Sequence, residues 1–456
     1  MDIRVSFEEF ASVKIPLYQA GDTIILEGEK GLFSFVTPEE LRAFFKNFDK
    51  PYNLVFERII PTNPQSMEQP EENVFGRNII SFSSYDLDML AWYMFLNCTE
   101  LEEVYVPSLV VIGNNALTGC KKLKKFYSPI AKYVASNAFE DCEDLQEISF
   151  PEVYYLSTQV FKNCFNLRKV YLPAVKEIGD EAFENCLDLS EIHAPMVEKI
   201  GLRTFEKCCS LEEIDFSDVK NVGISAFSKC FRLKSVNAPL IQEWLQETFF
   251  ECIQLRYVSM NNVRHIERSA FAHCANLKEI NAPLLERIDK RAFLKCVKLE
   301  KVTSPVLAEI KFEAFENCSE LIEINISHVK NLHAGAFYCC SNLRLPSVLP
   351  ELEEIHHDAF YSCVKISELS APNLKIIGAS AFNKCRNLKC IDIPSVKAIG
   401  ECAFRDCDSL EVVKAPLAES IGYGVFQWCS KLSCENIMIP DDINKKPLVE
   451  IDWNYF

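Results

Sequence analysis

The sequence predicts an α/β solenoid, in which short repeats of one size stack along an axis. The first observation is a series of sixteen phenylalanine positions, one of them leucine, separated by fourteen 22-residue intervals and one 23-residue interval. The second is a cysteine three residues after each of these positions. The third is that apolar residues recur at the same offsets, so each repeat must stack on its neighbours to bury them. The sixteen positions are Phe95, Leu117, Phe139, Phe161, Phe183, Phe205, Phe227, Phe249, Phe271, Phe293, Phe315, Phe337, Phe360, Phe382, Phe404 and Phe426.

One repeat shows which segments the array should contain. Ile192 begins an alternation that predicts a short strand with one face inward. Pro195 should end this strand, because proline cannot donate a main-chain hydrogen bond to a ladder. Val197 and Ile200 should face inward on a second extended segment, and the spacing within residues 205–208 suits a short helical turn.

Residues 1–74 do not follow the repeat and predict a small α+β region. Residues 37–46 predict a helix in which Thr37 is the N-cap and Glu40 completes a capping box. Residues 61–72 carry three prolines and few apolar residues, which predicts a linker. The region is either a cap on the solenoid or a separate recognition module. Short strands are predicted at residues 24–26, 32–36 and 54–60.

The repeats themselves span residues 75–435, with irregularities at three places. The repeat that contains Phe95 is degenerate, which is typical of a capping repeat at the end of an array. The one longer interval has its extra residue between Cys340 and Pro350 and predicts either a bulge in the stack or a tolerated insertion. Residues 436–456 leave the pattern and are expected to form a C-terminal cap.

The repeat can be written Ile-x-Ala-Pro…Val-x-x-Ile-Gly-x-x-Ala-Phe-x-x-Cys-x-x-Leu, with residues 170–189 and 391–410 as examples. It resembles the leucine-rich repeat of the BspA-like (Treponema pallidum type) proteins over residues 75–435. The resemblance implies a curved solenoid with a parallel sheet on the concave side and short helical turns on the convex side. Many relatives are cell-surface adhesins that bind host or matrix proteins. The matching positions are structural, so no functional residue is carried over.

Charge and hydropathy limit the classes of partner. The chain of 456 residues has a formal net charge of −17, which disfavours nucleic acid and anionic membrane surfaces as partners. No apolar run approaches the length of a membrane span, and the start of the chain lacks the features of a signal peptide. We therefore expect a cytoplasmic monomer without membrane insertion, with surface exposure by a non-classical route as the alternative.

Cysteine usage predicts a buried, reduced column. The chain has 21 cysteines, and sixteen of them occupy one repeat position. A disulfide framework is the alternative, but each of the sixteen has two equivalent neighbours and nothing specifies a pairing. Free cysteine behaves as a small, often buried hydrophobic residue. Cys209 and Cys339 each lie beside a repeat cysteine, so they should point outward and are candidates for reactive thiols.

No motif in the chain indicates catalysis. There is no phosphate-cradling glycine loop and no Cys-x-x-Cys pair. Residues 1–74, which could otherwise hold a separate activity, contain no histidine and no cysteine. We therefore predict that the protein is not an enzyme and has neither a cofactor nor a metal site.

Two columns of outward residues flank the inward residue of each predicted strand. The column before it alternates in charge through Glu103, Lys125, Glu147 and Lys169, which predicts a structural ladder of opposite charges. The column after it is rich in tyrosine at its start. Exposed tyrosines are typical anchors for a protein partner, although β-propensity also favours them in strands. The candidate protein-binding residues in this second column are Tyr105, Tyr127, Tyr171, His193 and Asp215.

These observations predict a non-enzymatic interaction scaffold. Its concave sheet, in the N-terminal third of the chain together with residues 1–74, would bind a protein partner. The alternative is an adhesin-type surface protein that binds host or matrix proteins. The state of the thiols separates the two hypotheses, because a scaffold in the cytoplasm should hold reduced cysteines and a secreted adhesin should hold disulfides.

Overall fold

Short parallel strands arranged in two columns form most of the molecule, as the predicted solenoid requires. The structure is a computed structural model, and it describes residues 1–6, 9–10, 17–28, 34–46, 48–61, 74–346 and 348–440. The chain divides into an N-terminal unit, Met1–Phe231, and a C-terminal unit, Arg232–Phe456. In both units, strands from successive repeats pair in parallel at a fixed register, which confirms the fold class.

The first residues of the chain belong to the same parallel sheet as the first repeats. Strand β6 (Ile79–Ser84) pairs with β4 on one side and with the next repeat on the other, so the sheet continues across residue 74. The predicted helix is α1 (Pro38–Phe45), and Thr37 and Glu40 form its capping box. The division at residue 74 stays a prediction, and the predicted linker lies, apart from Pro61, outside the described residues. The other elements here are β1 (Asp2–Ser6), β2 (Asp22–Glu27), β3 (Ser34–Val36), β4 (Tyr52–Glu57) and β5 (Ile59–Pro61).

The first column of the repeats contains short strands, most of them three residues long with the middle residue facing inward. Most begin five residues after a repeat cysteine and end two residues before the proline position. In the N-terminal unit it continues from β6 through β8 (Glu103–Tyr105), β10 (Lys125–Tyr127), β12 (Glu147–Ser149), β14 (Lys169–Tyr171), β16 (Glu191–His193) and β18 (Glu213–Asp215). In the C-terminal unit it contains β20 (Ser235–Asn237), β22 (Tyr257–Val258), β24 (Glu279–Asn281), β26 (Lys301–Thr303), β28 (Glu323–Ile324), β31 (Glu368–Ser370), β33 (Cys390–Asp392), β35 (Val412–Lys414) and β37 (Ile437–Met438).

The second column consists of two-residue strands whose second residue points inward. In the N-terminal unit these are β7 (Met89–Leu90), β9 (Val111–Ile112), β11 (Tyr133–Val134), β13 (Tyr155–Leu156), β15 (Glu177–Ile178), β17 (Lys199–Ile200) and β19 (Asn221–Val222). In the C-terminal unit they are β21 (Glu243–Trp244), β23 (His265–Ile266), β25 (Arg287–Ile288), β27 (Glu309–Ile310), β29 (Asn331–Leu332), β30 (Glu354–Ile355), β32 (Ile376–Ile377), β34 (Ala398–Ile399) and β36 (Ser420–Ile421). The column is one uninterrupted sheet within each unit.

The segment around each phenylalanine is a hydrogen-bonded turn and does not extend into a helix. In one repeat the Cys186 N–H donates to the Phe183 carbonyl at 3.1 Å, which closes a single turn. Glu181 and Asn185, two residues before and two after Phe183, have φ of 55° and 62°. An α-helix needs consecutive residues near φ −63°, so the left-handed residues, Asn185 within this turn and Glu181 before it, prevent a helix from forming. The short helical turns expected here are therefore hydrogen-bonded turns without α-helix.

The phenylalanine rings stack on one another through the interior of each unit. The Phe161, Phe183, Phe205 and Phe227 rings follow one another at centroid distances of 5.4, 5.4 and 5.5 Å with interplanar angles of 12°, 2° and 3°. All four side chains are fully buried. Each ring therefore contacts the equivalent ring of both neighbouring repeats, and the stack supplies a continuous apolar core.

The repeat cysteines fill space in the core and also donate hydrogen bonds to main-chain carbonyls. The Cys186 thiol donates to the carbonyl of Phe161 in the preceding repeat, with an Sγ–O distance of 3.1 Å. The same carbonyl accepts the N–H of Cys164 at 3.1 Å, so both of its lone pairs have partners. The thiol is small enough for the packed interior and still supplies a donor. The sixteen repeat cysteines are buried thiols, as predicted.

The extra residue of the longer interval is accommodated in the first column. Strand β29 pairs with β30 in register Asn331↔Glu354, so the second column continues without a break. In the first column the sheet of β24, β26 and β28 ends, and the next sheet begins at β31. Between them, the described residues on either side of residue 347 form no strand. Most of the predicted C-terminal cap, residues 441–456, lies outside the described residues.

Replacing one ring of the phenylalanine stack should destabilise the C-terminal unit locally. Phe271 is fully buried and stacks on Phe249 at 5.1 Å and on Phe293 at 5.4 Å. Phe271→Ala should therefore lower the free energy of unfolding by about 3–5 kcal/mol. Because each repeat contacts its neighbours, hydrogen exchange should accelerate first between residues 249 and 293.

The matched control is Phe312→Ala, because Phe312 is 45% exposed in the same unit. It should leave both the unfolding free energy and the exchange pattern close to those of the wild type. Equal protection of residues 249–293 in Phe271→Ala and wild type would show that the ring stack does not hold the repeats together.

Candidate protein-binding surface

The outward side chains at the ends of the first-column strands form a ladder of aromatic rings. Tyr105 and Tyr127 are register partners on β8 and β10, and their rings stack at 4.9 Å and 5°. They are 40% and 49% exposed, so the ring faces are accessible to a partner. Tyr85 extends the ladder by packing edge-on against Tyr105 at 5.6 Å. Partial burial, with Tyr85 and Tyr127 nearby, raises the pKa of Tyr105.

The ladder resumes two strands further on, after one gap. Tyr171 and His193 are register partners on β14 and β16, and their rings stack at 5.0 Å and 7°. Ser149 on β12 occupies the position between the two stacked pairs and is exposed. Asp215 lies on β18, where its carboxylate accepts a hydrogen bond from Ser217 Oγ at 2.8 Å. We call Tyr105, Tyr127, Ser149, Tyr171, His193 and Asp215 the outward column.

A groove of about 1060 Å³ lies over this part of the outward column. It is lined by β10, β12, β14 and β16 with adjoining residues, and by Glu213. The groove is lined by three of the predicted binding residues, Tyr127, Tyr171 and His193. Tyr105 stacks on the Tyr127 ring but does not itself line the groove, and Asp215 is not among the lining residues. Three of the five predicted binding residues therefore line the groove, and a fourth, Tyr105, stacks on one of them.

The first-column sheet is interrupted under the groove. Strand β10 is the last strand of one sheet and β12 the first of the next, although the second column continues through β11 and β13. Phe126 and Ile192, the middle residues of β10 and β16, are only half-buried. The equivalent Val104, Ile148 and Val170 are 2–4% exposed. The floor of the groove is thus apolar and partly accessible.

The charged column beside the aromatic ladder is paired in part as the sequence predicts, because Glu103 pairs with Lys125 whereas Lys169 pairs with Glu191 of the next strand and not with Glu147. Lys125 Nζ lies 2.6 Å from Glu103 Oε1, and Lys169 Nζ lies 3.5 Å from Glu191 Oε2. These pairs are exposed, and exposed pairs contribute little to stability. In each pair a lysine charge lies next to a glutamate charge, so the pairs add no net charge beside the groove.

Sequence reasoning missed three features of this surface. Tyr85 lies two residues beyond Ser83, which is the register partner of Tyr105. The repeat offset therefore places Ser83, and not Tyr85, in the column. The half-burial of Phe126 and Ile192 is not revealed by the regular period, which places both residues inward. Exposed Tyr133 and Tyr155 on the second column were also not identified, although their alternation with inward Val134 and Leu156 is a usable signal.

The two cysteines expected to be reactive have properties that lower the reactivity of a thiol. Cys209 and Cys339 are half-buried, and this burial raises the pKa of both thiols. The Cys209 thiol also donates to the Lys207 carbonyl at 3.3 Å. A raised pKa lowers the thiolate fraction at neutral pH, and the thiolate is the nucleophile. Lys207 near Cys209 and Lys384 near Cys339 act to lower the pKa, but burial has the larger effect at both thiols.

One group of side chains has the spacing of metal ligands. Among the described residues, ligand atoms of Glu243, His265 and Glu267 lie within 4.8 Å of one another. The two ring nitrogens of His265 already face Glu243 at 2.9 Å and Asp289 at 3.4 Å, and the Arg287 guanidinium binds Asp289 at 2.7 Å. Asp289 and Arg287 thus adjoin the group, and Arg287 supplies a positive charge beside its carboxylates.

No helix in the described part of the chain combines the length and hydropathy needed to cross a bilayer.

Comparison with known proteins identifies the repeat. A family model described as the BspA type leucine rich repeat region (6 copies) matches residues 72–190, 176–285, 264–388 and 353–447. None of the curated proteins matches the chain.

Several solved structures are similar in part. A leucine-rich repeat protein of T. pallidum is 28% identical, covering 32% of this chain and 72% of its own, with a TM-score of 0.30. A leucine-rich repeat protein from Bacteroides ovatus is 24% identical, covering 78% of each chain, with a TM-score of 0.41. A leucine rich cell surface protein from Faecalibacterium prausnitzii is 22% identical, covering 73% of this chain and 87% of its own, with a TM-score of 0.34.

Thiol labelling should separate the repeat cysteines from the others. The sixteen repeat thiols are buried, Cys209, Cys339, Cys390 and Cys402 are half-buried, and Cys434 is exposed. Native protein should therefore label first at Cys434 and only slowly at the four half-buried thiols, whereas protein denatured without reductant should label at all 21 cysteines. Mass spectrometry of the labelled peptides measures both sets.

Cys434→Ser is the control, since it should remove the fast phase and nothing else. Rapid native labelling of the repeat cysteines, or incomplete labelling of the denatured chain, would contradict the buried thiol column.

Proposed function

The chain belongs to the BspA type leucine rich repeat family, and on that premise we propose that it is a non-enzymatic scaffold that binds a protein partner. Leucine-rich repeat proteins are generally interaction scaffolds, and the fold commonly binds proteins. The proposed binding surface is the outward column of β8 to β18 with Tyr105, Tyr127, Tyr171, His193 and Asp215. That this face is concave stays a prediction.

The observation that carries the proposal is the exposed aromatic ladder beside a groove with an apolar floor. Tyr127 and Tyr171 are each nearly half exposed, and both line the groove. Tyrosine provides a large contact area with little loss of rotamer entropy, and its hydroxyl can make a polar contact. Stacking on Tyr105 and His193 further restricts the two rings before a partner arrives. Such pre-organised aromatic side chains are typical binding hot spots.

A non-enzymatic role is supported by the structural contacts of the thiols, carboxylates and lysines, which are groups that could otherwise act in catalysis. The repeat thiols donate to main-chain carbonyls in the interior, and burial raises the pKa of thiols such as Cys186. Carboxylates and lysines of the outward strands form a ladder of ion pairs. These groups therefore contribute to the fold and to its surface charge.

The thiol column also supports a reducing location, which we propose to be the cytoplasm. A disulfide would remove the S–H that the carbonyl of the preceding phenylalanine accepts, for example between Cys208 and Phe183 at 3.2 Å. Reduced thiols persist where glutathione and thioredoxin keep cysteines reduced. We further propose that the binding form is the monomer.

Removing the tyrosine rings should abolish partner capture without unfolding the chain. The triple change Tyr105→Ala, Tyr127→Ala and Tyr171→Ala deletes exposed side chains, so the circular dichroism spectrum should stay close to that of the wild type. A hot-spot tyrosine contributes about 2 kcal/mol or more to binding. The partner that wild type captures from a lysate, identified by mass spectrometry, should therefore be missing with the triple variant.

The control is Asn281→Ala, Thr303→Ala and Asn325→Ala, a triple change in the same column of the C-terminal unit. It should leave capture unchanged. If the late set removes the partner and the tyrosine set does not, the binding surface is placed wrongly. If the tyrosine set unfolds the protein, the three rings are structural.

A further inference from the structure

The aromatic ladder lacks a single ring, at Ser149. Tyr105 stacks on Tyr127, and Tyr171 stacks on His193, at 4.9 and 5.0 Å. These distances match the separation of neighbouring strands, which is about 4.8 Å. Ser149 is the register partner of Tyr171 on the adjacent strand β12, so a ring above Ser149 would stack on Tyr171 at the spacing of the ladder. The exposed serine leaves that position open.

The missing ring coincides with one of the breaks in the first column, whose sheets also end after β16, β22 and β28. Strands β10 and β12, which carry Tyr127 and Ser149, belong to different sheets. The 1060 Å³ groove lies there, and it exposes part of the Phe126 side chain in its floor. An open position between two rings, space above it and apolar surface beneath it thus occur together at one place.

We propose that this groove takes an aromatic side chain of the protein partner, which stacks on Tyr171 above Ser149. The inference rests on the proposed function, because it specifies which side chain of the partner the surface recognises. The guest ring lies between Tyr127 and Tyr171 and completes the ladder.

The chemistry of the groove favours a neutral ring over a charged group. Its lining includes three lysines and three glutamates, so it offers no net charge to an arginine or a carboxylate. A flat ring can present one face to Tyr171 and the other towards Tyr127, whereas an aliphatic side chain gains contact area without stacking. The charged lining residues are Lys124, Lys125, Lys169, Glu147, Glu191 and Glu213.

The test titrates N-acetyl-5-fluorotryptophanamide against the full chain and follows the fluorine NMR signal. Wild type should give a saturable shift with a Kd on the order of 1 mM, as expected for a ligand of this size. Ser149→Tyr fills the open position with a ring of the chain itself and should weaken the Kd by about tenfold or more.

Two further variants keep the result interpretable. Asn281→Tyr adds a tyrosine at the same strand position in the C-terminal unit and should leave the Kd unchanged. Tyr171→Ala removes the ring on which the guest stacks and should weaken binding even if Ser149→Tyr fails to fold. The proposal is overturned if wild type shows no saturation, if Ser149→Tyr and Tyr171→Ala both bind as wild type does, or if N-acetylargininamide binds in preference.

The outcome is separable from that of the proposed function. If the tyrosine triple variant loses the partner while wild type fails to bind the fluorinated probe, the scaffold surface stands and the aromatic guest is wrong. If the probe binds in a Ser149-dependent way while the triple variant keeps its partner, the guest site is real and the partner docks elsewhere.

Discussion

The stacking of each buried phenylalanine on the next is the constraint on which the other features of the repeats depend. Ring centroids from Phe271 to Phe360 repeat at 5.2 to 5.4 Å, close to the spacing of paired strands. Rings and strands therefore stack in step when successive repeats have nearly the same length. The longer interval shows that one extra residue is tolerated, because Phe337 and Phe360 still stack at 5.4 Å and 4°. The extra residue is displaced into the first column, where the sheet is interrupted, while the ring stack is preserved.

The period predicted most of the repeat architecture, because inward positions are constrained by packing. The phenylalanine and cysteine columns and the faces of the strands lie where the offsets place them. The turn conformation was not predicted, because the left-handed positions mostly hold residues other than glycine, such as Glu181 and Arg203. The continuity of residues 1–74 with the sheet was also not evident. Register partners there are Asp22↔Tyr52 and Leu54↔Phe82, and their separations in sequence differ from the regular period that relates Phe82 to Val104.

The candidate site was predictable only in part, because outward residues are not constrained by the core. The offset placed Tyr105, Tyr127, Tyr171 and His193 on one column, and their rings do lie on one side of the sheet. The groove, however, spans a break between β10 and β12, and both strands have the ordinary spacing in sequence. A break of this kind arises from how successive repeats pack, which a single-repeat pattern does not contain. The gap in the ladder at Ser149 indicates a site for a guest ring only when it is considered together with that break.

The central claim is that the path length of one repeat, measured between stacked phenylalanines, determines whether the chain folds. Deleting residues 272–293 joins Phe271 to Leu294 and restores the spacing to Cys296, so one whole repeat is removed in phase. Deleting residues 272–282 removes half a repeat at the same place. Urea unfolding of both variants, followed by circular dichroism, tests the claim most directly. The in-phase deletion should unfold cooperatively with an m-value about one-sixteenth smaller than that of the wild type, since less surface becomes exposed, and the half-repeat deletion should lose the cooperative transition. Loss of the transition in the in-phase variant, or equal tolerance of both deletions, would contradict the account.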